Sequence, residues 1–121
     1  MRWSEALAIT VAMAAPAVAQ SAPHGLWIRG DGAAVVRFEP CGRQLCATNT
    51  VIRDQTNGES VGDRLVLSVK PDGAGRLSGK AYDVKRNRTY AIDMRFTDTT
   101  MTTRGCLLGV LCKTVSWRKA P

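Results

Sequence analysis

Apolar and polar residues alternate along most of the chain beyond residue 24, and no stretch there repeats at helical spacing. In YAIDMRF, Tyr90, Ile92, Met94 and Phe96 share one face, while Ala91, Asp93 and Arg95 share the other. Successive side chains of a strand point to opposite faces, so this period of two predicts a strand with one buried side. RLVLSVK repeats the pattern with Leu65, Leu67 and Val69 inward, and AVVRFE with Ala34, Val36 and Phe38. CKTVSWRK sets Lys113, Val115 and Trp117 against Cys112, Thr114, Ser116 and Arg118. Turn-forming residues separate these runs: Gly30-Asp31-Gly32, Pro71-Asp72-Gly73, KRNR at 85–88 and Thr97-Asp98-Thr99. The one long polar connection is RDQTNGESVGD, residues 53–63. Eight strands are predicted, at 25–29, 33–39, 45–52, 64–70, 76–83, 89–96, 100–106 and 112–118. Short turns between neighbours imply an all-β, up-and-down antiparallel order, and closure into a barrel removes the exposed edges.

The chain begins differently. Arg2 precedes an uncharged apolar run, Ala6 to Ala19, that ends in Ala17-Val18-Ala19, the small-x-small form at which signal peptidase cuts. The run is shorter than the roughly 20 residues of a membrane-spanning helix. Residues 1–19 are therefore expected to be a cleaved signal peptide, and 20–121 a single barrel domain with its core at 25–119, periplasmic or secreted, with no membrane span after cleavage. Arg2 and Glu5 leave together, so the net charge stays at +7. That balance favours an anionic envelope component as partner, and export argues against nucleic acid. The charges are nevertheless scattered, as on a protein that is merely soluble in the envelope.

Cys41, Cys46, Cys106 and Cys112 all lie in the mature part. An even count in a small exported domain reads as disulfides. Of the three possible pairings, spacing favours the local one, Cys41–Cys46 and Cys106–Cys112, each across a hairpin. The spacings C-x4-C and C-x5-C match zinc knuckles poorly, and no C-x-x-C redox pair is present.

Gly25-Leu26-Trp27 opens the first strand and Trp117-Arg118-Lys119 closes the last. This resembles the lipocalin pattern, in which a first-strand tryptophan packs under a basic residue of the last strand. The resemblance implies that Trp27 and Arg118 close the barrel. More widely, GLW, GDGAAVVRFEPCGRQLC, GKAYD, RTYAIDMRF and RGCLLGVLCKTVSW resemble, in this order, the exported bacterial domain-of-unknown-function family 2147. That family implies a signal peptide and a lipocalin-like barrel, with no established activity.

Candidate chemistry is sparse. His24, the one histidine, sits in the leader to the first strand, where a general base has no predictable partners. Asp83 and Asp93 read as structural acids, RGD at 29–31 as a turn, and KRNR as a solvated tip or an anion contact. No catalytic residue, metal site or cofactor is expected, and an enzyme is the least favoured class. The inward set leaves two interiors open. A barrel filled by its own side chains is favoured by their bulk, and one holding a small apolar or amphipathic ligand would be lined by Phe38, Tyr90, Met94 and Phe96. A basic interaction protein is the alternative function, and a protease inhibitor the third. Leu107, Leu108, Val110 and Leu111 form an apolar tip, read first as a cap over one barrel mouth and second as a docking patch. Oligomeric state is not fixed by any residue.

Overall fold

The structure, a computed structural model, describes residues 22–121. The expected signal peptide lies outside the described residues. Eight strands run in order: β1 (Gly25–Arg29), β2 (Ala34–Cys41), β3 (Gln44–Ile52), β4 (Arg64–Pro71), β5 (Arg76–Asp83), β6 (Arg88–Phe96), β7 (Thr100–Leu107) and β8 (Leu111–Lys119). Each pairs antiparallel with the next, and β1 pairs with β8 to close the barrel. Strand ends move by two residues at most from the predicted bounds, where hairpin ladders continue beyond the last apolar residue. In this topology the connections at 30–33, 53–63, 84–87 and 108–110 gather at one end, termed here the mouth. The turns at 42–43, 72–75 and 97–99, with both ends of the described residues, gather at the base.

The base is closed by a plug. Trp27 is 1% exposed and donates its indole N–H to the carbonyl of His24 at 3.2 Å. Lys119 places its ammonium 5.2 Å from the centre of the indole ring and donates to the same carbonyl. The closing basic residue is therefore Lys119, not Arg118. Register explains the correction: Trp27 stands opposite Lys119 and Arg118 opposite Ile28, so only Lys119 shares the inward face with the indole. Gly25 is needed beside them, because its φ of +89° suits glycine and a Cβ there would collide with the Lys119 ammonium. His24 itself is exposed and contributes its backbone, not its imidazole.

Around the plug, Phe38, Leu45, Leu67, Leu77, Met94, Phe96 and Met101 are buried in one cluster. Phe38 and Trp117 meet edge to face with ring centroids 5.7 Å apart. Both expected disulfides form. Cys106 and Cys112 stand directly opposite each other across the last hairpin. Cys41 faces Gln44 and Cys46 faces Glu39, so the first bridge runs diagonally, with Cα atoms 5.7 Å apart.

Trp27→Ala removes the plug and leaves a hole at the base. The expected cost is about 3–5 kcal/mol, as for other large aromatic truncations in cores, read as a lowered midpoint in urea denaturation.

Candidate functional site

The inward rows taper from base to mouth. Toward the base they carry Phe38, Leu67, Leu77, Phe96, Met101 and Trp117. Toward the mouth the cavity wall is made by Asn49 on β3, Asp83 on β5, Tyr90 on β6, Gly105 on β7 and Lys113 on β8, while Ala34 and Ile52 at the mouth ends of β2 and β3 stay in the buried cluster. Ala47 and Ala81 lie between. Bulk fills one half of the barrel, and small or polar side chains leave the other half open. The result is a cavity of about 450 Å³ whose lining runs from Phe38, Leu67, Met94 and Trp117 up to the mouth loops. This volume lies in the range of small-molecule pockets. The interior is therefore not filled by its own side chains, as its bulk had suggested, because the bulk is concentrated at one end.

Phe38, Tyr90 and Met94 line the cavity as expected, but Phe96 does not. It sits one inward position nearer the base than Met94 and borders a smaller recess of about 230 Å³ between the 72–75 and 97–99 turns. Within the cavity, Thr103 accepts a hydrogen bond from the Trp117 indole at 3.0 Å, which fixes that ring against the wall.

The mouth is charged and cross-tied. The 53–63 connection turns back over it, with the Gly62 N–H on the Asn49 carbonyl and the Asn49 N–H on the Asp63 carbonyl. Glu59 receives both terminal nitrogens of Arg29, at 3.0 and 3.1 Å. Such a bidentate pair fixes geometry as well as charge. Lys85 reaches the Gly58 carbonyl and Asp63, and Arg86 bonds both Gly58 and Asp83. Lys85 and Arg86 of KRNR thus fasten the long loop, and their charge is satisfied within the chain. RGD at 29–31 is likewise internal, since the Arg29 Nε donates to Asp31 at 3.0 Å. Among the described residues, Arg64 and Lys113 line the cavity without an ion pair.

The hydrogen bonds that Arg29 donates to Glu59 hold its guanidinium above its ordinary pKa, against the opposing effect of burial. Asp31 is held below the ordinary carboxyl value, first by the Ala33 N–H and then by Arg29. Sequence reasoning missed Arg29, Glu59 and Asp63 because their partners lie far along the chain. Glu59 is 30 residues from the arginine it binds. Only the length of the 53–63 connection hinted at a role.

A family model described as "Uncharacterized protein conserved in bacteria (DUF2147)" matches residues 25–119, the whole barrel from its first strand to its last. The chain belongs to this family. Searches of curated proteins and of solved structures return no match. In this DUF2147 member, no group of His, Cys, Asp and Glu among the described residues is placed to hold a metal ion. What the geometry provides is a pocket with an apolar floor and a charged, loop-covered entrance.

The tip at 107–111 does not cap that entrance. Leu107 is half-buried, but Leu108, Val110 and Leu111 are 85%, 75% and 66% exposed. The β6–β7 ladder ends at Ala91 opposite Cys106, so the tip of the last hairpin continues without a paired strand beside it.

Asp31 provides a pH test. A depressed carboxyl pKa contributes stability that is present above the unfolded value and lost as pH falls through the folded one. Asp31→Ala should therefore unfold at lower temperature than the parent at neutral pH. Thermal melts should show that gap closing once pH drops below the ordinary carboxyl value of 3.8.

Proposed function

We propose that this protein is a non-catalytic carrier of a small amphipathic molecule, with the apolar part held inside the barrel and the polar part at the mouth. The observation that carries the reading is the taper: a cavity of about 450 Å³ with an apolar floor at Phe38, Leu67 and Met94, and Arg64 and Lys113 at its entrance. A purely apolar ligand would leave those cations without a role, and a purely polar one would leave the floor wet. A closed barrel with one plugged end imposes a single route of entry. The two disulfides accord with an exported protein, so the molecule carried would belong to the cell envelope or its surroundings.

Gly105 offers a clean perturbation. It lines the cavity, and a Cβ built there has one atom within 4 Å, the Ala91 carbonyl oxygen at 3.9 Å. Gly105→Phe should therefore fill the cavity while the barrel folds. Native mass spectrometry of detergent-free protein should show an added small-molecule mass on the parent chain that the variant lacks. Parent protein carrying no added mass, or a variant retaining it, would contradict the carrier reading.

A further inference from the structure

The tip of the β7–β8 hairpin is built against the preferences of both backbone and solvent. The Val110 N–H bonds the Leu107 carbonyl at 3.2 Å, which makes Leu108 and Gly109 the central pair of a two-residue turn. Their φ values are +56° and +72°. Two left-handed residues in a hairpin turn favour Asn-Gly or Asp-Gly, because a bulky side chain is strained there. This chain places leucine at the first position and exposes 85% of it. Val110 and Leu111 are exposed beside it, on a turn braced from below by the Cys106–Cys112 bridge. An asparagine at 108 would suit the backbone and the water better, so folding does not account for the leucine.

Charge narrows the choice of partner. From Thr99 to Pro121 the chain carries no Asp or Glu, and Arg104 and Lys113 stand just below the disulfide. Arg88 begins the neighbouring strand at the same end. Apolar side chains ahead of a collar of cations match the boundary of an anionic bilayer, where acyl chains lie beneath negative headgroups. A stable protein interface buries about 800 Å² per partner, more than three side chains on a narrow turn present.

We propose that Leu108, Val110 and Leu111 insert into the surface of an anionic lipid bilayer and hold the barrel there with its mouth toward the membrane. Gly105 and Lys113 of the same hairpin line the cavity, so docking by the tip sets the entrance against the lipid. The inference stands whether or not the barrel carries a ligand.

Disulfide-intact protein is tested by co-sedimentation with phosphatidylcholine vesicles, with and without phosphatidylglycerol. Binding is expected with the anionic vesicles and should weaken with salt. Leu108→Asn should reduce it by roughly tenfold or more, the loss of one inserted leucine. The thermal midpoint of that variant should hold or rise, which separates docking from folding. Arg104→Ser should reduce binding roughly fivefold. No sedimentation with either vesicle, or unchanged binding by Leu108→Asn, overturns the proposal. A concentration-dependent dimer that Leu108→Asn abolishes, without vesicle binding, also overturns it and assigns the tip to a second copy of the chain.

Discussion

Everything in this molecule depends on the seam between β1 and β8. It is the shortest ladder in the barrel, three opposed pairs from Trp27–Lys119 to Arg29–Trp117. Without it the sheet has two free edges, and β2 to β7 enclose nothing. A three-pair ladder is weak support by itself, so the Trp27 indole and the Lys119 ammonium reinforce it from inside. The His24 carbonyl accepts from both and ties the incoming chain to the same point. Burying an aromatic ring of this size is one of the larger single contributions available to a small core. The seam also joins base to mouth, since Arg29 at its far end binds Glu59 of the 53–63 connection.

Once the base is plugged, the taper of the inward rows decides what the barrel can do. Close-packed interiors leave few voids larger than a water molecule, so a cavity of several hundred Å³ needs a cause in the sequence. Here the cause is the small residues Ala47, Ala81 and Gly105, which stand opposite Phe38, Tyr90 and Ile92. The mouth loops hold the entrance in shape through charge pairs that are satisfied among themselves. That leaves Lys113 on the inward row of β8 and Arg64 at the rim without an ion pair, and the apolar hairpin tip beyond the rim. Pocket, cations and tip all lie at the one end that is not plugged.

The strands were legible because one face of each is buried and the other is wet, and that asymmetry writes itself as a period of two. The local disulfides were legible for the related reason that hairpin ladders bring residues five or six apart together. Periodicity carries no information on size along the barrel axis. The inward set was recognised, but antiparallel strands must be read in alternating directions before the bulk of Leu77, Phe96 and Met101 falls at one end. The same alternation, carried two residues past Trp117, places Lys119 inward and Arg118 outward. The lipocalin resemblance pointed to the wrong one of two adjacent cations. The Arg29–Glu59 pair was beyond any local reading, since it rests on a loop crossing the barrel. Hydrophobicity at 107–111 suggested burial, yet the β6 ladder ends at Cys106 and the hairpin beyond it leaves Leu108, Val110 and Leu111 in water.

In the proposed carrier the barrel is plugged at Trp27 and takes an amphiphile above Phe38, Leu67 and Met94. The most direct measurement is methyl and indole NMR of detergent-free protein titrated with dodecanoate. Saturable shifts are expected at the Met94 and Leu67 methyls and at the Trp117 indole, with the buried Trp27 indole unmoved. Shifts confined to the outer surface, or an interior that does not respond, would contradict the proposal.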